Sequence, residues 1–205
     1  MLVISKKLTL FERKRMEKRI AIFASGVGSN ARSIIEYFKE KSGVSVVLIG
    51  SNKPGALVLK KAVDLGVPSF VFNKSELTSR PVVLNKLLKE RIDFIVLAGF
   101  LLQIPESIIR AFPNRIVNIH PALLPKFGGK GMYGKHVHKA VIDAKEKESG
   151  ITVHYVNEFY DDGVIIFQTS CSVDENDSIT TLAEKIHALE RKHYPLIIDK
   201  IIQPS

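Results

Sequence analysis

Apolar and polar positions follow two rhythms over the first 120 residues of this chain. Short apolar runs rich in strand formers recur as KRIAIFAS (18–25), VSVVLIG (44–50), SFVF (69–72), DFIVLAG (93–99) and RIVNIH (115–120). Between them the apolar positions spread to every third or fourth residue, the spacing that makes one side of a helix apolar. NARSIIEYFKEK (30–41) puts Ile34, Ile35 and Phe38 on one side, and GALVLKKAVDLG (55–66) ends on Gly66, a residue suited to stop a helix. ELTSRPVVLNKLLKER (76–91) is predicted as one helix with Pro81 near its first turn, and PESIIRAF (105–112) as a shorter one. Strands alternating with helices predict a parallel sheet covered on both faces.

The pattern changes after residue 121. KFGGKGMYGK (126–135) is too rich in glycine for anything but a loop, and HVHKAVIDAKEK (136–147) fits a helix. GITVHYV (150–156) and GVIIFQTSCSV (163–173) read as strands joined by the hairpin-like NEFYDD, before a long amphipathic helix over 178–202. No repeat, linker or break in composition divides the chain. The expectation is one Rossmann-like α/β domain: a mostly parallel, twisted sheet of about seven strands with helices on both faces. Ligands in such sheets bind at the carboxyl ends of the strands. That rule selects ASGVGSN, GSNKPG, LAGFLLQ and NIHPALLP as the segments to search for chemistry.

Composition narrows the classes. With 205 residues, 45% hydrophobic and 25% charged, the chain lies in the globular range and can bury a sizeable core. No apolar run approaches the roughly 18–20 residues needed to cross a bilayer, and the start shows no secretory signal. A single cysteine, Cys171, cannot form an internal disulfide, so a reduced cytoplasmic protein with no membrane partner is expected. Cys171, in a strand among apolar residues, is expected to be buried and structural.

The net charge is +9, of which residues 1–15 supply +4 and the remainder +5. Residues 1–18 are expected to be a basic N-terminal extension and 19–205 the functional domain, with Met16 an alternative start. A basic balance attracts phosphates and carboxylates as readily as nucleic acid, and no nucleic-acid partner is assigned from it.

GVGSN (26–30) sits between a strand and a helix. Glycines there let backbone N–H groups approach an anion, and the helix N-terminus adds positive partial charge. Ser29 and Asn30 could donate to a phosphate or cap the helix. A dinucleotide fingerprint would need a third glycine and an acid about 20 residues on. Neither is found, so a mononucleotide-like or ribose-phosphate site remains, beside the alternative of a turn with a capped helix and no ligand.

In RIVNIHP, residues two apart point the same way, so Asn118 and His120 share a face. Pro121 keeps His120 extended. An Asn amide can polarise a carbonyl and a His can move a proton near neutral pH. Asp161 and Asp162, in a later loop, could supply a carboxylate to the His. No serine or cysteine nucleophile is evident, so direct transfer between two bound substrates fits better than a covalent intermediate. A capped strand end with a satisfied His fits this spacing as well as a catalytic pair does.

Taken together, GVGSN, VLAGFLLQI, NIHPALLPKF, GITVHYV, YDDGVIIFQ and HYPLII resemble, in order and spacing, the glycinamide ribonucleotide branch of the folate-dependent formyltransferases. The likeness runs from Arg19 to Ile202. It implies the formyltransferase fold and transfer of a formyl group from 10-formyltetrahydrofolate, as co-substrate, to the amine of glycinamide ribonucleotide in purine synthesis, with no metal. It implies that His120 is the general acid, that Asn118 holds the formyl oxygen, and that Asp161 rather than Asp162 raises the His120 pKa. Gly28, Ser29 and Asn30 would hold the phosphate, and Glu190 the ribonucleotide. Arg80, Leu101, Leu102, Gln103, Ile104, Asn118 and the loop Asn157 to Asp161 would contact the folate. Two departures stand out. Leu101 and Leu102 replace a Met-Arg pair found in many members, and the loop after NIHPALLP is several residues longer than the usual form.

The other histidines have plainer expectations. His136 and His138 form a solvated or loop-packing pair, His154 is satisfied and partly buried, and His187 and His193 pack or face solvent. Formyl transfer to a transfer RNA would call for a further RNA-binding domain, and a deformylating hydrolase for a domain in front. A non-enzymatic ligand-binding module would not need Asn118, His120 and an Asp together. A monomer or homodimer acting on small molecules is expected.

Overall fold

The structure, a computed structural model, describes residues 17–203; the basic stretch 1–16 lies outside them. Seven strands form one sheet: β1 (Lys18–Phe23), β2 (Val44–Ser51), β3 (Ser69–Val71), β4 (Phe94–Leu97), β5 (Ile116–His120), β6 (Glu148–Tyr155) and β7 (Ile165–Ser172). Their order is β3-β2-β1-β4-β5-β6-β7. The five strands from β3 to β5 run parallel, and β6 and β7 are antiparallel. The helices are α1 (Ser29–Lys39), α2 (Leu57–Asp64), α3 (Lys74–Thr78), α4 (Val82–Lys89), α5 (Glu106–Ala111), α6 (Lys135–Asp143) and α7 (Ile179–Ile202).

The central strands are apolar on both sides because both faces are covered. Along β1 the period of two assigns Ile20 and Ile22 to one core, packed with α1, α2 and α7. Ala21 and Phe23 fall in the other, packed with α3, α4 and α5. Among the described residues no helix is long and apolar enough to cross a membrane.

Element types follow the sequence expectations with one correction. The single helix expected over 76–91 is two helices, α3 and α4. Asn73 accepts from the Glu76 N–H at 3.0 Å and Glu76 accepts from the Asn73 N–H at 2.8 Å, a capping box that starts α3 early. Pro81 then disfavours helical geometry at Arg80 and becomes the cap of α4. Gly66 acts as expected. At φ 70° it ends α2, with the Val67 N–H on the Ala62 carbonyl at 2.8 Å and its own N–H on Val63 at 3.0 Å.

One buried side chain ties the second layer to the site. Tyr194 on α7 is fully buried and its hydroxyl donates to the Leu97 carbonyl at 2.9 Å, with the Val117 carbonyl at 3.3 Å. Those carbonyls end β4 and immediately precede Asn118 on β5. The long helix thereby fixes the strand ends from which the site is built.

Candidate active site

The carboxyl ends of β1, β4 and β5 open into a cleft of about 840 Å³. Asn118, half-buried, and His120, buried, both line it, as their shared strand face requires. The antiparallel register sets His154 of β6 opposite Asn118 and Thr152 opposite His120. Asp161 enters from the β6–β7 connection with its backbone at φ 54°. That left-handed conformation is uncommon for a residue other than glycine, though Asp tolerates it better than most.

Asn118, His120, His154 and Asp161 form one network. The Asp161 Oδ2 lies 3.4 Å from His120 Nδ1 and accepts the Gly129 N–H at 2.9 Å. Its Oδ1 accepts from Asn118 Nδ2 at 3.4 Å and lies 3.7 Å from His154 Nε2. Asn118 Nδ2 is also 3.1 Å from His154 Nε2, while His154 Nδ1 is 2.8 Å from the Tyr155 carbonyl. A carbonyl only accepts, so His154 Nδ1 donates to Tyr155, and its Nε2 lies between the Asn118 amide and the Asp161 carboxylate. His120 Nε2 donates to the Phe127 carbonyl at 2.8 Å. Both nitrogens of His120 thus face acceptors.

Charge and burial compete here. Burial pulls the His120 pKa down, while Asp161 and the Phe127 carbonyl push it up; the net direction is below the ordinary histidine value. Burial alone would raise Asp161, but the two facing histidines and the Gly129 N–H outweigh it and hold the carboxyl below its usual range. Asp161 is therefore ionised at neutral pH and disposed to stabilise a proton on His120. Asp162 instead accepts from Asn157 Nδ2 at 3.3 Å, away from the histidines.

The other end of the cleft is built differently. Gly28, at φ 73°, caps α1, and no side chain bonds to the helix N-terminus. The alternative in which Ser29 or Asn30 caps the helix is not what forms. Ser29 lines the cleft beside Gly28, but Asn30 is buried and donates to Glu190 Oε2 at 3.0 Å. A Cβ at Gly28 would lie 2.5 Å from Val58 Cγ2 and 3.0 Å from Val58 Cα, so α2 packs where a side chain would go. Glu190 lines the cleft, and burial raises its carboxyl pKa against the Asn30 amide and the nearby His187 and Arg191. Lys53, from the segment after β2, lines the same end.

Leu101, Leu102, Gln103, Ile104 and Asn157 also line the cleft. Gln103 Nε2 donates to the Glu158 carbonyl at 2.5 Å, linking the loop after β4 to the β6–β7 connection. Arg80 does not join them. It lies exposed between α3 and α4, outside the cleft lining.

The structure revises the expectation of a solvated His138 and that of a buried Cys171. His138 is buried rather than solvated and lines the cleft; its Nδ1 has no partner among the described residues. Burial, then His187 and His120, lowers its pKa to about 4, so it is neutral. His187 lines the cleft too, its ring 6.5 Å from that of His138. His154 belongs to the polar network, which one strand read alone could not disclose, because its partner lies on β5. Cys171 is half-buried on the edge strand β7, not buried. The long glycine loop reaches the site through the Phe127 carbonyl and the Gly129 N–H. Among the described residues no cluster of three or more His, Cys, Asp or Glu side chains could hold a metal ion.

Comparison with known proteins gives this geometry a class. Residues 18–198 match the family described as Formyl transferase, and the chain belongs to that family. The particular group is the phosphoribosylglycinamide formyltransferases. The chain is 36% identical over 190 residues to the Bacillus subtilis protein of that name, covering 90% of this chain and 95% of the relative. It is 42% identical over 192 residues to the chloroplastic protein of that name from Arabidopsis thaliana, covering 91% of this chain but 66% of that relative. It spans only 14% of a Drosophila melanogaster relative named as a trifunctional purine biosynthetic protein. The solved phosphoribosylglycinamide formyltransferase from Bacillus halodurans superposes with a TM-score of 0.83 at 37% identity, covering 91% of this chain and 96% of that one.

Proposed function

We propose that this chain transfers the formyl group of 10-formyltetrahydrofolate to the amine of 5′-phosphoribosylglycinamide, a step of purine synthesis. The observation that carries the reading is His120 held between the Phe127 carbonyl and an ionised Asp161, with Asn118 beside it on the same strand face. The free amine attacks the formyl carbon. As the tetrahedral oxygen gains charge, Asn118 donates to it, giving up its longer, 3.4 Å bond to Asp161. As the carbon–nitrogen bond breaks, His120 turns one N–H away from its acceptor to protonate the departing folate nitrogen, directly or through a water; Nδ1, 3.4 Å from Asp161, holds the longer contact. The proton released by the amine restores the imidazolium, and Asp161 stabilises it.

The ribonucleotide phosphate sits against the open N-terminus of α1 at Gly28 and Ser29, where backbone N–H groups lack helical partners. Glu190, oriented by Asn30, faces the ribose. Leu101, Leu102, Gln103, Ile104 and Asn157 surround the folate, and its pterin takes no charged side chain from positions 101 and 102. The substrates are small molecules, and the reaction needs no metal ion. A cytoplasmic monomer or homodimer is part of the reading. Because the Arabidopsis relative is named chloroplastic, cell fractionation is the check on location.

The deciding experiment follows 10-formyltetrahydrofolate with and without the ribonucleotide amine. Consumption that depends on the acceptor is expected. Equal consumption without acceptor identifies a hydrolase, and no consumption in either case removes the reading.

A further inference from the structure

The segment that follows His120 is held by two polar side chains that touch no part of the cleft. Thr152 on β6 and Gln168 on β7 lie under the turn 121–125. Thr152 Oγ1 donates to the Ala122 carbonyl at 2.7 Å and accepts the Leu124 N–H at 3.0 Å. Gln168 Nε2 donates to Thr152 Oγ1 at 2.9 Å and to the Leu124 carbonyl at 3.0 Å. Neither residue lines the cleft. Thr152 is fully buried and Gln168 sits on the exposed edge strand.

We infer that Thr152 and Gln168 are positioning residues for His120, acting through the turn 122–127 whose Phe127 carbonyl holds the His120 Nε2. The geometry has three linked parts. His120 and Thr152 are direct partners in the β5–β6 register, so the clamp starts from the same rung of the sheet as the imidazole. The clamp fixes two backbone groups of Leu124 and one of Ala122. Three residues past Leu124, the Phe127 carbonyl accepts from His120 at 2.8 Å. Each hydroxyl and amide bond in the clamp lies in the interior or at its edge, where a lost partner is costly and geometry is stiff.

A threonine is suited to the central position. It must donate to one backbone carbonyl while accepting from one backbone N–H and one amide, and a hydroxyl does both. Valine, of similar shape, does neither. The consequence falls on the imidazole rather than on substrate binding. Loosening the turn lets the Phe127 carbonyl drift. The His120 ring then loses the acceptor that fixes its rotation and, with Asp161, offsets part of the burial that lowers its pKa, with His154 and His138 as the other titratable groups facing it.

The inference rests on the formyl-transfer reading, and the wild-type enzyme tests that reading separately. If wild type shows no acceptor-dependent formyl transfer, the reading fails. If wild type is active, the variants decide the positioning role. Thr152→Val is expected to lower kcat by about tenfold or more, the scale of a misplaced catalytic group, with KM for both substrates within about twofold. The alkaline limb of its pH profile should move to lower pH, because His120 loses an acceptor that raises its pKa. Thr152→Ser, which keeps the hydroxyl, should restore both. Gln168→Met removes the outer half of the clamp at an exposed position of the edge strand, and should lower kcat to a smaller extent, again without raising KM. Should Thr152→Val fail to fold, Gln168→Met carries the test. Wild-type kcat in Gln168→Met, wild-type kcat in a folded Thr152→Val, or a loss in Thr152→Val that Thr152→Ser does not restore each overturns the inference.

Discussion

The two ends of the cleft solve opposite problems. At the β5 end the polar groups of Asn118, His120, His154 and Asp161 are matched to one another or to a backbone group. At the α1 end the helix N-terminus has no side-chain cap, and Asn30 turns away from it toward Glu190. The first end is complete without substrate, and preorganisation there serves proton movement. The second leaves backbone donors without partners, as a site that awaits an anion must. Substitutions at the two ends should therefore fail in different ways.

The largest effect is expected at the first end. His120→Ala and Asp161→Asn should each lower kcat by about 10²–10⁴-fold, the range for a lost acid–base group, with little change in melting temperature. Asp161→Asn keeps an oxygen for the Gly129 N–H while removing the charge and the acceptor that faces Asn118. Near-wild-type turnover in either variant breaks the assignment of proton transfer to this pair.

At the second end the next effect is on stability. Gly28→Ala places a side chain in a left-handed conformation, a cost of about 1–2 kcal/mol, and drives its Cβ to 2.5 Å from Val58 Cγ2. Its thermal unfolding should fall well below wild type even without ligand. An unchanged melting curve would show that α2 gives way easily and that the glycine serves the phosphate alone. Ser29→Ala carries no such strain and isolates the binding role: it should raise KM for the ribonucleotide and leave that for folate unchanged.

How legible the two ends were in the sequence depends on the range of the interactions that make them. The period of two placed Asn118 and His120 on one face, because that relation is local to one strand. The acidic pair Asp161 and Asp162 was offered from the sequence, family resemblance chose Asp161, and the geometry sets Asp161 against His120 and Asp162 against Asn157. His154 was missed as a member of the network because antiparallel register relates it to Asn118 across 36 residues. The start of α3 was local and readable in NKSE, an Asn followed three residues on by a Glu, and its separation from α4 in Pro81, yet the longer apolar period over 76–91 masked both. Arg80 was proposed only by resemblance, and the same split leaves it on an exposed turn outside the cleft.

The missed histidine sharpens the comparison in its turn. His154 touches Asn118 rather than His120 by hydrogen bond, so its loss should act on the orientation of the amide. His154→Phe keeps a flat ring, somewhat larger than imidazole, and removes both ring nitrogens. A loss of about fivefold in kcat is expected, on the scale of one hydrogen bond of about 1 kcal/mol. A loss as large as that of His120→Ala would make His154 a proton carrier and redraw the network.

The smallest effect tests whether Glu190 is held ready at a cost. Burial raises its carboxyl pKa above the ordinary 4.5, and the Asn30 amide offsets only part of that. The sign follows from linkage. Well below pH 4.5 the carboxyl is protonated in both folded and unfolded chains, and burial costs it little. As the pH rises past 4.5 the unfolded chain releases its proton first, so the stability that the neutral form contributed is lost as pH climbs through the folded pKa. Gln at this position cannot ionise, yet it can still accept the Asn30 amide. The melting temperature of Glu190→Gln relative to wild type should therefore rise between about pH 4 and pH 7. The same variant should bind the ribonucleotide less well, because a ribose hydroxyl loses a charged acceptor. A difference in melting temperature that stays flat with pH would show that water reaches the carboxylate, and the second end of the cleft would be more open than its burial implies.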